Sequence, residues 1–284
     1  MHFFWIAVCL FLVAGCMKLA LRMSPALLQN FSDTVFEECD PDFARDAIPA
    51  NLELMEGLLK SDPNNKKILT LLSMGFSGYA LLFLENEAPT RASQFYLRAR
   101  GYGIRALGDK GSVLVDPGTK LEDLKRVLNA IGEGDFEALF WTAVAWNAWI
   151  NINLDVPAAI AQLGATKACL ERILELNANY LYGFPHILMG TILAATPPML
   201  GGDIQGAKSH FDKALAVGDR KFFLAQYYFA RYYTPRTQDK TLFMELLGEV
   251  SNGDPQALKN VCLINTVTQK RADQLREKVD ELFF

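Results

Sequence analysis

The sequence predicts an all-α fold in which helical hairpins pack into one array. Three observations carry this reading. Beyond residue 16, no segment sustains the apolar/polar alternation of period two that marks a half-buried strand. Apolar residues instead recur at helical spacing, as in Leu52, Met55, Leu58 and Leu59, and again in Leu258, Val261, Cys262, Leu275, Val279 and Leu282. The breaks also carry helix punctuation. Asp-Pro occurs at Asp40-Pro41, Asp62-Pro63, Asp116-Pro117 and Asp254-Pro255, and Asp caps a helix N-terminus while Pro suits its first turn. Ten to thirteen helices are expected, separated by longer breaks at 108–120, 132–135, 195–206 and 234–240.

The elements follow in chain order. Residues 1–17 carry no charged side chain, and Phe3 to Ala14 is apolar throughout. As a helix, that stretch spans only about 18 Å, against about 30 Å for a bilayer core. It therefore reads as the apolar region of a secretory signal. It ends in Leu12-Val13-Ala14-Gly15-Cys16, small residues before a cysteine that look like a bacterial lipobox. Such a box implies cleavage before Cys16 and acylation of its thiol; an ordinary signal peptide with an incidental cysteine is the plainer reading. The expected organisation is a lipoprotein signal peptide over 1–15, a lipidated tether over 16–23 and one helical domain over 24–284. Cys39, Cys169 and Cys262 remain, far apart and without metal-ligand spacing. They allow at most one disulfide, leaving at least one buried free thiol.

Internal repetition sharpens the fold. Ala92-Tyr96-Ala99 and Ala207-Phe211-Ala214 share one pattern: Ala, a large residue four on, Ala three further on. A Gly preceded by Met lies 17 residues upstream of each, at Gly75 and Gly190, and the two copies are 115 residues apart. Small residues let two helix backbones approach, and the large one fills the groove between neighbouring pairs. This is the packing of tetratricopeptide-like hairpins. Thr166-Leu170-Ile173 is a degenerate third copy.

Composition narrows the function. The 284 residues are 51% hydrophobic and 11% aromatic, too apolar for a disordered chain. The net charge is −4, so no basic field offers itself to nucleic acid. Only His2, His186 and His210 are present, and neither a metal nor any other cofactor is expected. HExxH, GxSxG and GxxxxGK[ST] motifs are missing from the chain, and the protein is not read as an enzyme.

Three segments carry alternative readings. Residues 140–150 hold three of the four tryptophans. On a helix, Trp141, Ala145 and Trp149 align while Trp146 points elsewhere. The segment is either central core or, through Trp141, Trp146, Trp149 and Asn147, the lining of a ligand cavity or pore. Arg91, Arg98 and Arg105 form a stripe at seven-residue spacing, either solvated and ion-paired or docking an acidic partner. Between two helices, Pro197-Pro198-Met199-Leu200 runs into Gly201-Gly202-Asp203, which turns the chain and caps the next helix. The loop is a structural turn, or its Met199-Leu200 tip is a contact site.

Several segments together resemble one family, the T component associated with TRAP transporters (TatT). They are residues 146–150, 172–180, Gly190, the Pro197-Pro198…Gly201-Gly202-Asp203 loop with Ala207, Lys208, Phe211, Ala214 and Leu215, and residues 265–283. The resemblance covers the chain from about residue 22 to its end. It implies a non-catalytic, periplasm-facing lipoprotein of a tripartite ATP-independent periplasmic transporter, assembling as a homotrimer and binding the transporter's periplasmic solute-binding protein, the P component. Met17 after the acylated position favours the outer membrane over the inner, by analogy. The alternative is a tetratricopeptide-type lipoprotein scaffold in cell-envelope assembly.

Overall fold

The computed structural model describes residues 25–116 and 118–284. Among them there is no strand, in line with the all-α class. The proposed signal, lipobox and tether, Cys16 included, lie outside the described residues.

Helix α1 (Pro25–Glu37) leads into α2 (Pro41–Ser61). Asp40 caps α2, its side chain accepting from the Asp42 and Phe43 amides at 3.0 and 3.1 Å, and Pro41 opens the first turn. Ala44, Ile48, Leu52, Met55 and Leu59 form its buried face. Asp62 does not cap the next helix. The chain needs three more residues to reverse, and the residue directly before a helix takes the capping role. Asn65 holds that place, accepting from the Ile68 amide at 3.1 Å and donating to Asp62 at 3.3 Å. Helix α3 (Lys66–Tyr79) continues into a π-turn at Ala80–Leu84. By length and apolarity the run Lys66–Leu84 is long enough to cross a membrane, but most of it is buried in the protein.

Helix α4 (Pro89–Leu107) folds back on α3 as the first close hairpin. Two short helices follow, α5 (Asp109–Val115) and α6 (Leu121–Asn129). Asp116 caps neither; its carboxylate accepts from the Gly118 amide at 2.9 Å within the turn between them. Helix α7 (Phe136–Asn151) is the central element, with every side chain from Ala138 to Ala148 buried. It packs on α3, α4, α9 (Leu163–Asn177) and α10 (Tyr180–Ala195), with the single turn α8 (Pro157–Ile160) between α7 and α9. The first turn of α10 reverses through three left-handed residues, Leu181, Tyr182 and Gly183.

Helix α10 and α11 (Ile204–Val217) make the second close hairpin. Their loop turns at Gly201, whose φ of 93° is costly for any side chain. Gly202 sits where an added Cβ would lie 1.9 Å from the Thr196 carbonyl. Asp203 then caps α11 through the Gly206 amide at 2.9 Å. Helix α12 (Phe223–Tyr228) runs through a second π-turn (Phe229–Tyr233) into a last turn (Thr234–Thr237). Helix α13 (Lys240–Asn252), a 3₁₀ stretch (Pro255–Val261), α14 (Cys262–Arg276) and α15 (Val279–Leu282) complete the chain. Asp254 caps the 3₁₀ stretch; Leu258 there leaves the helical region, so the stripe expected to begin at Leu258 starts instead with α14.

Helix α14 packs on α12 and α13 and also reaches α1, α2 and the first π-turn. The end of the array thereby returns to its beginning. A disulfide between Cys39 and Cys262, 223 residues apart, fixes this closure. Cys169 is the buried free thiol among the described residues.

Candidate functional site

The two π-turns, with α4 and α14, deliver residues to one buried polar cluster. In the first turn the Glu85 amide bonds to the Ala80 carbonyl at 2.9 Å, five residues back. Such a turn breaks the regular helical ladder. The Leu81 carbonyl is taken up from outside by Arg271 Nη1 of α14, at 2.8 Å. Glu85, at the end of this turn, has a side chain only 5% exposed. Its Oε2 accepts from the Tyr96 hydroxyl at 2.8 Å and its Oε1 from Arg231 Nη1, in the second π-turn, at 3.3 Å. Arg271 Nη2 lies 3.5 Å from the same Oε1 and donates to Asn86 at 3.1 Å. Arg231 Nη1 also donates to the Tyr227 hydroxyl at 3.1 Å. The guanidinium of Arg271 stands over the Tyr227 ring and that of Arg231 over the Tyr232 ring, both at 5.3 Å. The contacts of Arg231 and Arg271 with Leu81, Glu85 and Asn86 join residues 146 to 190 positions apart in sequence.

The electrostatics are those of cations held in an aromatic shell. Burial, reinforced by the Glu85 charge, pushes the Tyr96 and Tyr228 hydroxyls far above the ordinary phenol range, and burial lifts Tyr232 to about 12. Burial acts the same way on Tyr227, but Arg271 and Arg231 beside it draw its pKa below the usual value. Arg231 is stabilised as a cation, first by Tyr232. Arg271 stays charged against its burial through Tyr227 and Glu85. Among the described residues, Glu85 is thus the carboxylate that two guanidiniums share. The surrounding charges pair among themselves, Arg45 with Glu87 at 2.6 Å and Lys270 with Asp42 at 3.9 Å. A cavity of about 90 Å³ lies on the Arg271 side, walled in part by Arg45, Asn86, Glu87 and Lys270.

The residues singled out in the sequence fall elsewhere, with one exception. Ala92, Tyr96 and Ala99 are fully buried on α4, as are Ala207, Phe211 and Ala214 on α11. Tyr96 is the exception, since its hydroxyl enters the cluster. A Cβ on Gly190 would meet the Phe211 ring at 3.1 Å, within its own hairpin. One on Gly75 would meet Leu52 of α2 at 2.6 Å, outside its hairpin. Trp141, Trp146 and Asn147 are buried inside α7's packing, and Trp149 is half-buried. Trp146 donates to Gln162 at 2.7 Å, and Arg100 stands over the Trp146 and Trp149 rings at 5.3 and 5.4 Å. The Asn147 Oδ1 has no hydrogen-bond partner among the described residues.

Of the arginine stripe, Arg98 reaches α2 and Arg105 the turn that follows it. Arg98 pairs with Glu56, Arg105 donates to the Pro63 carbonyl at 2.9 Å, and Arg91 stands over Phe95 at 5.4 Å. The Pro197–Leu200 loop carries an exposed tip, with Met199 91% accessible. His186 and His210 meet through their Nδ1 atoms at 2.9 Å. No group of three or more metal-ligating side chains occurs among the described residues.

A protein-family model described as the TRAP transporter T-component matches residues 37–283. No curated protein matches the chain.

Proposed function

Because the chain belongs to the TRAP transporter T-component family, and is thereby an accessory component of such a transporter, we propose that it acts by binding the transporter's periplasmic solute-binding protein, as a homotrimer held to the cell envelope by lipid on Cys16. The family match over residues 37–283 carries this reading. Two further observations support parts of it. A disulfide between Cys39 and Cys262 suits a chain that folds in an oxidising compartment. The Leu12–Cys16 segment has the composition of a lipobox. Helical arrays of this kind offer extended surfaces for a protein partner. The candidate contacts are Arg91, Arg98 and Arg105 on one face and Pro197, Pro198, Met199 and Leu200 at the loop tip; the tip is the more exposed of the two.

The test is light scattering of the purified chain, alone and after incubation with periplasmic extract, with retained proteins identified by mass. The expected result is a trimer that retains a TRAP solute-binding protein. A monomer that retains an envelope-assembly protein instead overturns the reading in favour of the scaffold.

A further inference from the structure

Arg100 on α4 is half-buried and meets no carboxylate among the described residues. Arg172, Arg231 and Arg271, also enclosed, each meet one. Arg100 instead lies over the Trp146 and Trp149 rings and donates one hydrogen bond, from Nη1 to Gln162 Oε1 at 2.9 Å. A guanidinium carries five N–H donors, so most of its capacity is unused among the described residues. Burial lowers its pKa, and no acidic neighbour offsets this. Such a cation is costly to enclose until a counter-charge reaches it.

The surface around it is largely apolar. Asn153, in the loop from α7 to α8, donates to Ser93 of α4 at 3.2 Å and to the Trp149 carbonyl at 2.7 Å, which pins the loop beside α4. Leu97 lies four residues beyond Ser93 and three before Arg100, hence on the same face of α4. Leu97, Leu154 and Val156 are exposed, and Trp149 is half-buried. Tryptophan and arginine beside aliphatic side chains, at the edge of solvent, have the composition of a protein–protein contact. Asp155 stands in the same loop, exposed and without a cationic partner among the described residues.

The two unmatched charges identify the occupant. An acidic partner would satisfy Arg100 and repel Asp155, and a basic partner would do the reverse. A second copy of this chain presents both signs and satisfies both. We propose that this face of α4 and the α7–α8 loop is the contact between copies of the chain, with Arg100 of one protomer paired to Asp155 of the next and Leu97, Trp149, Leu154 and Val156 packed around the pair. At a three-fold axis, each protomer gives Arg100 to one neighbour and Asp155 to the other, so a closed ring leaves neither charge unmet. The inference rests on the homotrimer reading and assigns its interface.

Sedimentation equilibrium of the purified chain tests it, with Arg100→Glu, Asp155→Lys and the two combined. Each single reversal sets like charges against each other and is expected to weaken association about tenfold or more, with the helical circular dichroism retained. The combined variant exchanges the two signs and is expected to recover most of the natural affinity. Asp155→Lys changes only an exposed loop residue and decides alone where the Arg100 variants do not fold. A natural chain that assembles while the folded single variants assemble equally well overturns this interface and leaves the homotrimer standing. A folded double variant as weak as the singles overturns the pairing. A natural chain that stays monomeric overturns the homotrimer and the interface together. A monomer whose retention of the periplasmic solute-binding protein is lost in Asp155→Lys gives the face to that protein and overturns the inference.

Discussion

At the residue scale, Glu85 and His186 make opposite demands on charge. Replacing Glu85 by Gln preserves shape and leaves a partner for Tyr96, but strips the carboxylate that Arg231 and Arg271 share among the described residues. Removing one partner of a buried ionic group costs about 3–5 kcal/mol. The exposed Arg45–Glu87 pair provides the control, since Glu87→Gln costs at most about 1 kcal/mol. Urea unfolding of both variants measures the contrast, and equal losses would place Glu85 outside the stability of the core. His186 is lowered from 6.5 to about 4, by burial first and then by His210. A neutral imidazole in the folded chain takes no proton where the unfolded chain already does. Stability is therefore full above about pH 6.5 and falls as pH drops toward 4. The expected melting temperature declines through that window, and His186→Asn flattens the decline. None of this was visible in the sequence. Glu85, Arg231 and Arg271 belong to no motif, and 146 or more residues separate Glu85 from its cationic partners. Of the residues the sequence marks, Tyr96 alone enters the site, and its place in the repeat reflects its size rather than its hydroxyl.

At the scale of the element, the sequence reading was strong where structure is local. The periodicity of α2 and the caps at Asp40, Asp203 and Asp254 all depend on neighbours within one turn. It failed where a neighbour from another element decides. Asp62 and Asp116 have the same Asp-Pro signature as Asp40, yet the reversal to the next helix is longer and the cap moves or disappears. The π-turns at Ala80–Leu84 and Phe229–Tyr233 left no signal, because their residues are ordinary helix formers and core aromatics. Helix α4 allows the distinction to be measured. Ala favours a helix interior over Gly by about 1 kcal/mol. At Gly101 an added Cβ meets nothing within 4 Å, so Gly101→Ala is expected to stabilise by about 0.5–1 kcal/mol. At Gly103 the same atom would sit 2.0 Å from Thr142 Oγ1 of α7. Gly103→Ala is therefore expected to cost about 1–3 kcal/mol through overpacking, and Thr142→Ala in the same chain to recover part of it. Thermal unfolding of the three variants gives the signs directly. Stabilisation at Gly103 would mean that α4 and α7 are not in close contact.

At the scale of the whole molecule, an open array of hairpins is stabilised mainly between neighbours, whereas this chain also joins its ends. That closure was beyond the sequence, since three cysteines allow three pairings and an unpaired state. It is made twice over, by the Cys39–Cys262 bond and by Arg271 reaching back to Leu81, Asn86 and Glu85. The two ties act on different states. The arginine contacts exist only in the folded chain. The disulfide spans 223 residues and acts chiefly by restricting the unfolded one, where a loop of that length accounts for about 5 kcal/mol. The paired replacement of Cys39 and Cys262 by Ser is therefore expected to lower the urea midpoint strongly. It should also raise the slope of the transition, because the unfolded chain expands and exposes more surface. Reductant should reproduce both effects in the natural chain and do nothing further to the serine variant. A midpoint unchanged by reductant would show that the cysteines are not bonded in the purified protein, and would remove with them the support that the disulfide lends to an oxidising compartment. A lower midpoint with an unchanged slope would instead locate the effect in the folded state, making the disulfide a clamp on the site where α14 meets the first π-turn.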